Sequence, residues 1–274
     1  MTVGRFSGRA VVITGGGSGI GRAVAVQMAG EGASVALLDV NATGMTETAR
    51  QLRSVGAEVL LAETDVSDPD ALQNAIERAI AHFGGIDVLV NNVGFAGAVV
   101  PIASLSLSAW NRVLAASLTA VFVGTKAILP HMVDRGGGCI VNTASVSGLA
   151  ADCGMSAYNT AKAGVINFTK ATAVEYSSMG IRANCVCPGA IATPPVVGLF
   201  DVADSVGHAQ RKQQMADAHA MRRFGQAEEV AEVICFLASD AASFVSGAAY
   251  LVDGGLMAST GMPPLPLGPY SPGR

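Results

Sequence analysis

Charge is scarce in this chain. Asp, Glu, Lys and Arg make up 14% of its 274 residues and balance to a formal −4. No basic excess is left to neutralise a phosphate backbone, which argues against a nucleic-acid partner. Long apolar runs are missing too. Half of the residues are hydrophobic, yet no stretch reaches the eighteen or so needed to span a bilayer, and Met1-Thr2-Val3-Gly4-Arg5 lacks the apolar core of a secretory signal. A cytoplasmic protein with no membrane partner is expected. The five cysteines (Cys139, Cys153, Cys185, Cys187, Cys235) are odd in number and lack Cys-x-x-Cys spacing, so they read as buried free thiols in a reducing compartment. Of four histidines, His82 and His131 read as surface or capping residues. His208 and His219 lie eleven apart with no cysteine or paired carboxylates in ligand spacing, so no metal is expected, though either could approach a substrate. No Pro/Gly/Ser-rich linker divides the chain before its tail, and there are no internal repeats.

What the chain does have is alternation. Strand patterns fall near 10–14, 34–39, 58–63, 87–91, 138–144, 181–187 and 248–252, with helical patterns between them that include 19–30, 69–82, 107–133, 156–178 and 227–238. Such alternation predicts an α/β fold, a single-domain Rossmann-like doubly wound parallel sheet of about seven strands. Helices cover both faces, and ligands bind at the carboxyl ends of the strands. Low charge lets these layers bury thoroughly and leaves apolar surface for subunit contacts.

The N-terminal segment reads as a cofactor site. Ala10-Val11-Val12-Ile13-Thr14 is a short strand, Gly15-Gly16-Gly17-Ser18-Gly19-Ile20-Gly21 a glycine turn, and Arg22 to Ala29 a helical pattern. That order places backbone N–H groups and a helix N-terminus where a pyrophosphate can sit. The spacing, Gly15-x-x-x-Gly19-x-Gly21, departs from Gly-x-Gly-x-x-Gly, but the physical need for a tight turn and close approach is the same. The second strand ends at Asp39, whose carboxylate can accept from both adenosine ribose hydroxyls and would repel the 2′-phosphate of NADP. No Lys or Arg stands in the glycine turn or just after Asp39, so NAD is the expected cofactor. The plainer reading makes Asp39 a cap for the helix starting near Ala42, a role that Asn41 fills as well.

Tyr158-Asn159-Thr160-Ala161-Lys162, with Ser145 thirteen residues upstream, supplies the parts for moving a proton at a carbinol oxygen. Positions i and i+4 share a helix face, so the Lys162 ammonium can lie below the Tyr158 hydroxyl and lower its pKa from about 10. Ser145 can hold the substrate oxygen. Alone, the pair is unspecific, since two surface residues on a helix match it by chance.

Taken jointly, Thr14-Gly15-x-x-x-Gly19-x-Gly21, Asp65-Val66, Asn91-Asn92-Val93-Gly94, Ser145, Tyr158-x-x-x-Lys162 and Pro188-Gly189-x-Ile191-x-Thr193 make residues 6 to 257 resemble the short-chain dehydrogenase/reductase family. The resemblance implies that Gly15, Ser18, Gly19, Ile20 and Gly21 cradle the cofactor and that Asp65 and Val66 flank the adenine. It also implies that Asn92 supports a ribose, and that Ile191 and Thr193 hold the nicotinamide carboxamide. Lys162 bonds the nicotinamide ribose, and the assembly is a homotetramer. The family's usual asparagine, which helps hold a proton-relaying water, aligns with Ser117. A slower relay through Ser117 and a second water is expected, because serine is shorter.

The resulting expectation is an NAD-dependent oxidoreductase that interconverts a secondary alcohol and a ketone on a small, apolar substrate (alicyclic, steroid-like or acyl-chain). Two other readings stay open: an NAD-binding sensor or scaffold, motivated by Ser117, and an NAD-retaining epimerase or dehydratase. Residues 194–224 read as a substrate lid, apolar at Pro195–Phe200 and polar at Gln210–Asp217, with Val146, Leu149, Cys153 and Met155 as the opposite wall. Residues 1–257 form the domain, and 258–274 a proline-rich tail. That tail is expected to dock on a neighbouring subunit through Met262, Leu265, Leu267 and Tyr270.

Overall fold

The computed structural model describes residues 4–198 and 206–259. Its strands are β1 (Ala10–Thr14), β2 (Ser34–Asp39), β3 (Val59–Glu63), β4 (Val88–Asn91), β5 (Gly138–Thr143), β6 (Ile181–Pro188) and β7 (Ala249–Val252). Its helices are α1 (Gly19–Gly30), α2 (Ala42–Ser54), α3 (Pro69–Phe83), α4 (Leu107–Leu114), α5 (Ala120–Asp134), α6 (Ser156–Tyr176), α7 (Pro194–Gly198), α8 (Val206–Ala218) and α9 (Ala227–Ala238). Every strand lies within a residue of where the apolar runs placed it.

All seven strands pair in parallel, in the order β3-β2-β1-β4-β5-β6-β7. β1 is buried at every position, as a central strand roofed on both faces must be. Its side chains alternate between two cores. Val11 and Ile13 pack with Val24 and Met28 of α1, Leu52 of α2 and Ile234 of α9. Val12 packs on the opposite face with Leu72 and Ile76 of α3 and Ile128 of α5. The chain runs outward from β1 to β3, returns to β4 beside β1, and then runs outward the other way. That reversal leaves a crevice at the carboxyl ends of β1 and β4, where sheets of this kind bind ligands.

The helix expected over 107–133 is interrupted. Between α4 and α5 stands one π turn, Ala115–Thr119, whose extra residue changes the helix phase at Ser117. Because the three pieces run on without a break, Leu107–Asp134 forms a 28-residue helical run long and apolar enough, by composition, to cross a membrane. This corrects the expectation drawn from uninterrupted apolar stretches. The run instead buries Val121, Ile128, Leu129 and Met132 within the domain, as a core helix does. The lid segment contains α7 and α8, while its residues 199–205 lie outside the described residues, as does the tail from 260 on with its proposed anchors.

Candidate active site

A cleft of about 680 Å³ follows the carboxyl ends of the strands. It is lined by twelve of the thirteen residues assigned to the cofactor from sequence, all but Gly21, and by Ser145. Gly21 acts from behind: a Cβ there would stand 2.0 Å from Gly15 O, so only glycine lets α1 start so close to β1. Gly19, at φ +52°, faces the loop after β6, and a Cβ on it would lie 3.1 Å from Thr193 Cγ2. Ser18 precedes α1 without a side-chain cap, so its hydroxyl does not compete for the first N–H groups of the helix. Asn92 holds this turn. Its Nδ2 donates to Thr14 O (3.2 Å), its backbone N–H to Thr14 Oγ1 (2.9 Å), and its Oδ1 accepts from Thr143 Oγ1 (3.3 Å). One amide thereby ties the ends of β1, β4 and β5.

Half-buried Asp39 closes the far end. Its Oδ2 accepts from the Gly17 N–H and its Oδ1 from the Asn41 N–H, both at 2.9 Å. Asn41, and not Asp39, caps α2 by accepting from the Gly44 N–H. The carboxylate is therefore oriented by the glycine turn itself, with lone pairs left for a ribose. Arg22, the cation nearest the turn in sequence, packs behind it. Its Nε donates to Thr48 Oγ1 (2.9 Å) and its Nη2 to the carbonyls of Gly17 and Gly44, so it does not line the cleft. Asp65 and Val66 line the same end, with Asp65 Oδ1 accepting from the Ser67 N–H (2.8 Å) and hydroxyl (2.7 Å). Glycine approach, free helix N–H groups and an unneutralised carboxylate together fit a dinucleotide without a 2′-phosphate.

Tyr158, Lys162 and Ser145 meet at the other end. Tyr158 is half-buried and lines the same end of the cleft as Ser145. Lys162 is 1% exposed; its Nζ donates to Thr143 O at 2.7 Å and lies 5.6 Å from the centre of the Tyr158 ring. Here the sequence expectation needs correction. Burial pushes Tyr158 above its ordinary value, the Ser145 hydroxyl works against that rise, and the charge of Asp152 adds to it. Burial also pulls Lys162 down to about 8. The i, i+4 spacing does bring the ammonium near the ring. In the protein alone, however, desolvation outweighs that proximity, and Nζ bonds a carbonyl rather than the phenol.

Ser117 also departs from expectation. It is fully buried, and its Oγ accepts from the Phe95 N–H (2.9 Å) and donates to Phe95 O (3.1 Å). A hydroxyl engaged at both ends with one residue, outside the cleft lining, is a clamp on the Phe95 loop and not a relay. His219 is 3% exposed, with Nε2 accepting from the Ala190 N–H (3.1 Å) and Nδ1 2.8 Å from Met215 O. It braces the loop after β6 against α8 instead of approaching a substrate. His131 caps the entry to β4, its Nε2 accepting from the Ile86 N–H (3.1 Å). Four thiols are buried, but Cys153 is exposed. Val146, Leu149, Cys153 and Met155 do not line the cleft, since the chain turns outward through a 3₁₀ turn after Ser145. Phe95, Ala96, Arg112, Ala115, Ala116 and Val196 line it instead. Val196 belongs to the apolar stretch already read as the lid; of the rest, only Phe95 and Ala96 had a sequence signal, by directly following Asn91-Asn92-Val93-Gly94.

Residues 15–257 match the family model described as enoyl-(acyl carrier protein) reductase. The chain is 45% identical over 253 residues to the cis-4-hydroxycyclohexanecarboxylate dehydrogenase of Sinomonas cyclohexanicum, covering 92% of this chain and 98% of that protein. It is 38% identical over 250 residues to the cyclohexanol dehydrogenase of an Acinetobacter species, covering 91% and 95%. The crystal structure of carveol dehydrogenase from Mycobacterium avium in complex with NAD superposes with a TM-score of 0.87 at 28% identity, covering 93% of this chain and all of that one.

Proposed function

The chain belongs to the short-chain dehydrogenase/reductase family, and from that premise we propose that its substrate is an alicyclic secondary alcohol or the matching ketone, handled by Tyr158, Ser145 and Lys162. It is an oxidoreductase acting on CH–OH groups, with NAD as cofactor. The observation that carries the residue roles is one juxtaposition. A half-buried tyrosine lines the cleft with Ser145, a fully buried lysine lies one helical turn from it, and all three sit in a cleft whose other end presents Asp39.

Bound NAD supplies the hydride acceptor in oxidation and the donor in reduction. Tyr158 removes the alcohol proton at its phenolic oxygen or returns it to the ketone, while Ser145 orients the same substrate oxygen. Lys162, at about 8, carries its charge at neutral pH and favours the phenolate through the short path to the ring. Asp39, Asp65, Val66 and the glycine turn hold the adenosine and pyrophosphate, and Ile191 and Thr193 the carboxamide. The apolar lining from Val93, Phe95, Ala115, Ala116 and Val196 supports a ring or chain without charge.

The protein is read as a homotetramer in the cytoplasm. Supporting the assembly, Phe122 (47% exposed) on α5, Val174 (86%) on α6 and Met179 (46%) in the 3₁₀ turn after α6 leave exposed apolar side chains, and Phe244 (103%) and Leu251 (48%) leave others near β7. The test of function is a panel of cyclohexanols, acyclic alcohols and steroid alcohols with NAD, followed by NADH absorbance. Turnover of acyclic substrates alone would overturn the alicyclic assignment.

A further inference from the structure

Ser145 stands two residues beyond β5, while Tyr158 reaches the cleft from α6. For both to meet one substrate oxygen, the serine hydroxyl must keep a single direction and its segment must keep register with the helix. A serine side chain has three staggered rotamers, so something has to select one. The turn that follows does so. Ser145 Oγ accepts from the Ser147 N–H at 3.1 Å and donates to Ser147 Oγ at 3.0 Å. Both bonds fall on one residue, so Ser145 is held only as firmly as Ser147. The Ser147 hydroxyl has a holder of its own, since it donates to Asp152 Oδ2 at 2.5 Å. Ser145 and Ser147 are 8% and 7% exposed, whereas Asp152 lies at the surface.

The same turn is fixed to α6 at two points. A Cβ on Gly148 would stand 2.6 Å from Lys162 C, so the backbone of the turn presses directly on the helix beside its lysine. Nearer the start of the helix, Asn159 Nδ2 donates to Asp152 O at 2.9 Å, and Asn159 Oδ1 accepts from the Asp152 N–H at 3.4 Å. Asn159 directly follows Tyr158. Asp152 therefore has two grips. Its backbone holds the helix that carries the tyrosine, and its carboxylate holds the serine pair. It does not line the cleft, so any effect it has on a substrate passes through Ser147 and Ser145.

We propose that Asp152 is a positioning residue that sets the Ser145 hydroxyl relative to Tyr158, its carboxylate fixing Ser147 and its backbone keeping register with α6. The inference rests on Ser145 being the group that orients the substrate oxygen, as read above. Without the carboxylate, the Ser147 hydroxyl is free to rotate, and Ser145 keeps only its bond from the Ser147 N–H. The consequence falls on rate and not on cofactor affinity, because a displacement of about 1 Å at a reacting centre can cost about a hundredfold.

The test compares Asp152→Asn, whose amide oxygen still accepts from Ser147, with Asp152→Ala, which leaves no acceptor. Both remove the negative charge that raises Tyr158, so its effect cancels between them. NADH formation is followed in a single turnover, with protein in excess over NAD and a secondary alcohol that the native protein oxidises. Asp152→Ala is expected to be about tenfold or more slower than Asp152→Asn, with NAD Kd within about twofold, and Ser147→Ala should show a similar loss against the native protein. In a Ser145→Ala background the difference between the two Asp152 variants should vanish, because no hydroxyl is left to hold. Equal rates for Asp152→Asn and Asp152→Ala, or a difference that persists without the Ser145 hydroxyl, would overturn the positioning role and leave the reading of Ser145 standing. A native rate in Ser145→Ala itself would overturn that reading, and the inference with it.

Discussion

Replacing Lys162 by methionine is expected to change how stability depends on pH, and the size of the change can be worked out in advance. Lys162 is 1% exposed, and burial holds its ammonium at about 8 against an ordinary 10.5. In the unfolded chain the lysine regains the ordinary value. Between about 8 and 10.5 the unfolded state therefore binds a proton that the folded state does not, and native stability rises with pH through that window. The contribution is fully present above the upper value and lost as pH falls through the lower one. The gap between the two values corresponds to about 3 kcal/mol at neutral pH. That is the cost of keeping a cation beneath Tyr158. Methionine removes the cost but leaves Thr143 O, which now accepts from Nζ at 2.7 Å, without a donor. A buried carbonyl left so costs about 1–3 kcal/mol, so the two effects nearly cancel at neutral pH and only the slope is diagnostic. Urea unfolding of cofactor-free native protein and Lys162→Met, from neutral pH to 10.5, should show the native chain gaining about 3 kcal/mol on the variant. Repeating the pair in a Tyr158→Phe background removes the neighbouring phenol from the same window. A difference that stays flat, or in which the native protein loses ground as pH rises, would refute the account of Lys162 as a buried cation held against desolvation.

Tyr158→Phe should lower kcat by about 10²–10⁴ while NAD binding, followed by fluorescence titration, stays nearly intact; more than about a tenth of native rate would remove Tyr158 from its role. Asp39→Ser should weaken NAD by roughly 1.5–3 kcal/mol and narrow the gap with NADP, and equal native kcat/KM values for the two cofactors would contradict the assignment. Ser117→Ala strips both Phe95 backbone groups of their partner, which should cost roughly 1–3 kcal/mol in urea unfolding, and unchanged stability would show that the hydroxyl is no clamp. His219→Leu leaves the Ala190 N–H unpaired beside the Ile191–Thr193 segment, so NAD binding should weaken by roughly 1–3 kcal/mol; an unaltered Kd would make the histidine a bystander.

Much of the fold was legible along the chain because its causes are local. A run such as Ala10–Thr14 is apolar at every position because both faces of a central parallel strand are covered, and its boundaries follow from that alone. Gly15, Gly19 and Gly21 announce the turn because no other residue tolerates those approaches. Twelve of the thirteen residues assigned to the cofactor from sequence line the cleft because motif residues stand at strand ends, and a parallel sheet gathers its strand ends on one edge. The serine, tyrosine and lysine come together for the same reason, two on one helix face and one at the end of β5.

Where the reading failed, the cause was a partner distant in sequence or a burial that spacing cannot measure. Ser117 and Phe95 are twenty-two residues apart, and only the folded chain shows that the serine hydroxyl is already occupied. Four-residue spacing places Lys162 near Tyr158, but the direction of the tyrosine pKa depends on how much water the fold removes from both. Nothing beside His219 in sequence points to Ala190, twenty-nine residues earlier. Sequence by itself determined the elements, the glycine turn and which groups are the candidates for the chemistry, since these follow from periodicity, sterics and side-chain chemistry. Tertiary structure alone decided which polar groups are already satisfied and which charges are desolvated, because those properties belong to contacts between segments the chain keeps far apart.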